Sequence, residues 1–185
     1  MGDAQPENER VNSRGIYYAP VIILGGKMRG LKLYKINAKY IKYLAQYQEH
    51  IFISDGDKAN RKYIGIVLQI NGMNYFAPLS SFKPKHKRMK ESVDFIKIRD
   101  YAVININNMV PVPDGQYHLV DVNGTKDMQY RYLMQAESRE INRQRNRIIK
   151  NADIVYRHKL RNGDTTPLAK RTNDFRELEK RCKEY

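Results

Sequence analysis

Two adjacent serines, Ser80 and Ser81, close the apolar run Tyr75-Phe76-Ala77-Pro78-Leu79 and are followed at once by Lys83, Lys85, His86, Lys87, Arg88 and Lys90. Between positions 80 and 90 there are five Lys or Arg, one His and no acid. Such a loop suits a phosphate, because cations offset its charge and hydroxyls donate to its oxygens. If the phosphate belongs to RNA, a reaction is within reach. The ribose 2′-hydroxyl is a built-in nucleophile. An enzyme has to align it with the phosphorus and the leaving oxygen, offset charge on the five-coordinate phosphorus, and move protons. In that scheme Lys83 and Arg61 stabilise the phosphoryl oxygens. Ser81 hydrogen-bonds a nonbridging or attacking oxygen, Ser80 assists, and His86 titrates near neutrality. The chemistry needs no metal or other cofactor, and one cysteine with four scattered histidines shows no metal-ligand spacing. Ser-Ser-x-Lys also arises by chance, so the plainer alternatives stay open: serines that satisfy a turn, and a lysine that only anchors phosphate.

A scaffold has to hold these groups. Tyr63–Ile70 reads as a strand, with Ile64, Ile66, Leu68 and Ile70 sharing a face at period two. Asn71-Gly72 is a strong hairpin signal, since that turn needs positive φ, and residues 73–79 return as the partner strand. Further strands are expected over 31–36, 95–98, 101–106 and 117–122, with a polar loop over 54–60. Asn37 caps a helix over 38–48. The stretch 126–161 is helical, with Met134, Ile141, Ile148, Ala152 and Val155 as an apolar stripe and a break near Ser138 as an option. Arg139, Arg143, Arg147 and Lys150 follow helical spacing on another face, either an RNA groove or a solvated surface. Thr172 or Asn173 caps a last helix to about residue 183. The pattern is α+β: a small, strongly bent antiparallel sheet with several helices.

Composition limits the partners. The 185 residues carry 34 basic and 20 acidic side chains, a net charge of +14. Residues 1–27 cancel internally, with Arg10, Arg14 and Lys27 against Asp3, Glu7 and Glu9, so the surplus belongs to the rest. A polyanion is the expected partner, nucleic acid first, through counterion release. Lys62, Tyr63, Lys85, His86, Lys87, Arg88 and Lys90 join the arginine row as candidate RNA contacts. Cys182 is the only cysteine, so no internal disulfide forms, which suits a cytoplasmic protein. No run of 18 apolar residues offers a membrane span. Residues 1–29 read as a flexible extension, with Met28 an alternative start, and 30–185 as one domain.

The ordered segments Tyr40-Ile41-Lys42-Tyr43-Leu44, Tyr63-Ile64-Gly65-Ile66-Val67-Leu68, Asn71-Gly72, Tyr75 to His86, and Asn107-Asn108-Met109-Val110-Pro111-Val112-Pro113 resemble the ToxN/AbiQ family, the toxins of type III toxin–antitoxin systems. The resemblance runs from about Leu33 to Tyr185. It implies a compact, barrel-like antiparallel β-core similar to Kid/MazF toxins, wrapped by helices. It implies metal-independent endoribonuclease cleavage, leaving a 2′,3′-cyclic phosphate and a 5′-hydroxyl. The partners it implies are target RNAs and a small pseudoknot RNA antitoxin cut from a repeat transcript, in a closed assembly of two or three protomers. The setting it implies is phage abortive infection or plasmid maintenance. The family's Thr/Ser-Ser-x-Lys falls on Ser80, Ser81 and Lys83, and its basic residue before the strand on Arg61. A tyrosine of some members falls near Asp57, with Tyr63 as the neighbouring substitute, and Phe82 stands where many have Pro. A non-catalytic RNA-binding module is the competing reading. A DNA-binding regulator lacks any helix-turn-helix or zinc-finger spacing.

Overall fold

The computed structural model of the chain describes residues 30–51, 61–70 and 72–185. Seven strands, β1 (Lys32–Ile36), β2 (Tyr63–Ile70), β3 (Met73–Ser81), β4 (Phe95–Ile98), β5 (Ala102–Asn105), β6 (Val110–Val112) and β7 (Tyr117–Leu119), make one antiparallel sheet. The order is β4-β5-β3-β2-β1-β7, with β6 also paired to β3. The helices are α1 (Ala38–Leu44), α2 (Pro84–Arg88), α3 (Met128–Arg143), α4 (Arg145–Asn162), α5 (Pro167–Lys170) and α6 (Phe175–Glu184). The expected α+β class holds. A closed barrel does not: no pairing joins β4 to β7 among the described residues. Instead β3 shares one edge between two short strands, β6 along Asn74–Phe76 and β5 along Leu79–Ser81. Pro78 lies between these two stretches and has no N–H to donate, so the ladder divides there.

The β2–β3 hairpin forms as expected, with Ile70 opposite Met73 and Gly72 at φ 75°. Its other turn residue, Asn71, the loop over 54–60 with Asp57, and residues 1–29 lie outside the described residues. The pairing slips between Gly65 and Leu68, so β2 bulges. Gly65 is required there, since a Cβ would come within 2.2 Å of the Phe76 ring.

Both sheet faces are covered, which is why β2 and β3 read as near-continuous apolar runs. Along β3, Tyr75, Ala77 and Leu79 face one core, with Ile64, Ile104 and the helical stripe Met134, Ile141, Ile148, Ala152 and Val155. Phe76 faces the second, with Tyr40, Leu44, Tyr63, Val110 and Leu178. The stripe is buried as expected, but the helical break falls at Gln144 rather than Ser138. Asp174, not Thr172 or Asn173, caps α6, its carboxylate accepting from the N–H groups of Arg176 and Glu177. Thr172 and Asn173 are instead buried in the connection, where the Asn173 N–H donates to the Asn107 carbonyl. Helix α1 ends at Leu44, earlier than expected, and the strand expected over 101–106 gives way to a 3-10 turn at Ile106–Asn108. Cys182 is buried on the inner side of α6, where its thiol meets the Tyr40 side chain.

Candidate active site

Strand β3 runs out of the core at its C-terminal end, leaving Ser80 half-buried and Ser81 exposed. Both remain in the sheet: Ser80 pairs with Val103 and Ser81 with Ala102. One residue later the Phe82 N–H donates to the Tyr101 carbonyl at 3.1 Å. On the other edge the Leu79 N–H donates to the Lys62 carbonyl at 3.0 Å, and Tyr63 sits opposite Pro78. That register brings Arg61 level with Ser80, so positions 19 residues apart in sequence meet at one sheet end. Side chains alternate along a strand, so Ser81 lies on the Leu79 side of the sheet, under α3, and Ser80 on the Phe76 side. Lys83 is exposed at the entrance to α2, which Pro84 opens in the first turn, where a missing N–H costs nothing.

The structure places three of the expected RNA contacts inside. His86 is only 6% exposed. Its Nδ1 accepts the Lys83 N–H at 3.0 Å, its own N–H donates to the Lys83 carbonyl at 2.8 Å, and its ring sits 5.5 Å from Phe82 and 5.8 Å from Phe95. Burial, then the charges of Lys85, Lys83 and Lys97, lower its pKa below the ordinary value. With Nδ1 occupied as acceptor, the neutral ring carries its hydrogen on Nε2. His86 is therefore a brace for the basic loop and has no free lone pair for taking a proton. Lys62 points to the Ser81 side and is buried, its ammonium bonded to Glu137 of α3 and 5.0 Å from the centre of the Tyr130 ring. Burial pushes the Glu137 carboxyl up, and Lys62 pulls the other way. Tyr63 fills the second core, and burial pushes its hydroxyl up to about 12.

Other cations do reach solvent. Lys85, Lys87, Arg88 and Lys90 are exposed along and after α2. The arginine row is divided by the helix break: Arg139 and Arg143 lie on α3, Arg147 and Lys150 on α4. Arg147 ties α4 to the loop after α2 through Glu91 at 3.1 Å.

Three residues between the β4–β5 turn and α3, namely Arg99, Tyr101 and Glu140, had no signal in the sequence. Arg99, in the β4–β5 turn, is the one non-glycine residue with positive φ among the described residues, at 50°. Such a backbone costs an arginine about 1–2 kcal/mol. Its Nε donates to Glu140 of α3 at 3.2 Å, and Tyr101 follows in the same turn. A positive φ at Arg99 and a contact 41 residues away are invisible to local patterning. Among the described residues no group of three or more His, Cys, Asp or Glu is placed to hold a metal, and no helix is long and apolar enough to cross a membrane. What the strand end offers is an exposed hydroxyl, an exposed ammonium two residues on, and a guanidinium level with the adjoining serine. These can donate to phosphoryl oxygens and offset their charge.

Comparison with known proteins gives this arrangement a context. The sequence profile of the family described as "Toxin ToxN, type III toxin-antitoxin system" matches residues 32–183. The endoribonuclease ToxN of Bacillus thuringiensis subsp. kurstaki is 28% identical over 162 residues, covering 83% of this chain and 84% of the relative. The fold is similar to the solved structure of AbiQ, a lactococcal anti-phage endoribonuclease of a type III toxin–antitoxin system. That match has a TM-score of 0.75 and 25% identity, and covers 85% of this chain and 98% of the other. It is also similar, with a TM-score of 0.71, 25% identity and coverage of 85% and 98%, to a solved chain from a bacterial type III system whose toxin is selectively inhibited by a non-coding RNA pseudoknot. With the profile spanning every described strand and nearly all of the helical half, this chain belongs to the ToxN family of type III toxin–antitoxin toxins.

Proposed function

We propose that the chain is a sequence-specific, metal-independent endoribonuclease. Ser81 hydrogen-bonds the scissile phosphate or its attacking oxygen from one face of the sheet end, Lys83 offsets the charge of the five-coordinate phosphorus, and Arg61 and Ser80 reach the same group round the strand end from the other face. The RNA's own 2′-hydroxyl attacks, the 5′-oxygen leaves, and the products carry a 2′,3′-cyclic phosphate and a 5′-hydroxyl. One observation carries this reading: in a chain of this family, an exposed Ser81 and Lys83 stand at a strand end whose register sets Arg61 beside Ser80. Inhibition falls to a small pseudoknot RNA cut from a repeat transcript. It alternates with two or three protomers in a closed cytoplasmic assembly that serves phage abortive infection or plasmid maintenance. The bend of the β-core is of the barrel-like Kid/MazF kind.

The test uses RNA with every 2′-oxygen methylated beside the unmodified strand, in a chelator. The unmodified strand is cut to cyclic-phosphate ends and the methylated one survives. Cutting of the methylated strand, or a plain 3′-hydroxyl product, rejects the mechanism. Ser81→Ala lowers cleavage by a factor on the order of 10²–10³ while RNA affinity stays within a few fold. Tight binding without any cleavage by the unaltered protein would instead favour a non-catalytic RNA-binding module.

A further inference from the structure

Helix α3 crosses the end of the sheet. Glu137 bonds Lys62 beside β2, and Glu140 bonds Arg99 at the β4–β5 turn. In the sheet, β3 lies between β2 and β5, so the helix passes over the strand end that carries Ser81. Between α3 and the turn is a cleft of about 170 Å³, lined by Arg99, Tyr101, Ala136, Arg139, Glu140 and Arg143. That is the space of roughly six waters at ~30 Å³ each. Tyr101 belongs both to this cleft and to the active strand end, because its carbonyl takes the Phe82 N–H.

We propose that this cleft is a second phosphate site, holding a backbone phosphate that adjoins the scissile one on the same RNA strand. The inference rests on the proposed RNA cleavage and adds a binding site to it. Three guanidinium groups face one carboxylate, which leaves a surplus of two positive charges. Glu140 is already satisfied: it accepts from Arg99 at 3.2 Å, Arg143 at 3.1 Å and Gln144 at 3.1 Å. It therefore acts as a clamp that fixes two arginines while most of their N–H donors stay unspent. Arg139 makes no salt bridge among the described residues. Forked, permanently charged donors fixed in advance match a phosphate in geometry as well as in sign. The backbone strain at Arg99 points the same way, since glycine would fit that turn without cost, yet the residue present is the one that reaches Glu140. The occupant is RNA because Tyr101, which lines the cleft, is hydrogen-bonded through its carbonyl to Phe82, the residue that follows Ser81.

The experiment compares the full-length protein with Arg99→Gln and Arg139→Gln on a short cleavable RNA. Each variant raises KM about tenfold while kcat moves less than twofold, and each flattens the salt dependence by about 0.7, one phosphate contact on a single strand. Arg99→Lys recovers part of the loss. A scan places one neutral methylphosphonate at a time, each after a 2′-deoxy sugar that keeps it inert. One position next to the cut costs the unaltered protein the same factor and costs Arg99→Gln nothing more. Unchanged KM and salt slope in both variants, with the unaltered protein cutting normally, overturns this site alone. Should the unaltered protein not cut RNA at all, the parent reading fails. Equal affinity of both variants for the uncut strand would then overturn the cleft on its own evidence.

Discussion

His86 stands among cations and remains uncharged at neutral pH. Its Nδ1 holds the Lys83 N–H, and protonation of that nitrogen abolishes the acceptor. Burial and the neighbouring lysines depress its pKa in the folded protein. A group whose folded pKa is lowered binds fewer protons folded than unfolded, so stability rises with pH across that window. The contribution is complete above the ordinary value of 6.5 and is lost as pH falls through the lowered folded value. We expect the melting temperature to drop between pH 7 and pH 5. His86→Asn, which keeps an acceptor oxygen, should show a shallower drop, and an equally steep one would remove His86 as the cause. At this scale the exposure of the candidate-site residues was legible in the sequence, because Ser81, Lys83 and Lys85 sit in a short polar stretch beyond an apolar strand. The fate of Lys62 and His86 was not. Whether a cation faces solvent depends on strand alternation and on what packs above it, and Glu137 lies 75 residues from Lys62.

Helix α3 is the element that borders the candidate site, since it is pinned on both sides of the strand that carries Ser81. The Lys62–Glu137 pair is buried, so removing one partner strands a charge. Glu137→Ala should cost about 3–5 kcal/mol in chemical denaturation, while the joint change of Lys62→Met with Glu137→Leu should recover most of it. A single change as mild as a surface substitution would show that the pair is not what docks α3. The long elements were readable from their periodicity, as the stripe from Met134 to Val155 attests. The short ones were not. Val110-Pro111-Val112 contains a proline that argues against a strand, and only the free edge of β3 makes it one. Helix α2 was hidden by its charge, and the cap of α6 was misplaced because Thr172 and Asn173 are equally good capping types drawn instead into the interior.

Over the whole molecule the charge of +14 sets affinity for polyanions, and burial decides which cations take part. We expect log K for single-stranded RNA to fall linearly with log salt. Neutralising an exposed lysine such as Lys85 or Lys87 should lower the slope by about 0.7 per lost contact. The joint Lys62→Met and Glu137→Leu change should leave the slope as it was, because that ammonium already has its counter-charge inside. A reduced slope would place Lys62 at the RNA surface after all. The charge surplus and the polyanion it implies could be read from composition. The open sheet could not, because closure depends on whether the first and last strands meet. One small feature reaches beyond RNA altogether. The only thiol, Cys182, lies beneath the C-terminal helix with its pKa pushed up by burial. Peroxide, disulfide reagents and alkylators meet little of it on the native surface, where the residue is 7% exposed. The rate at which they capture that sulfur is a clock for how often the last helix lifts away.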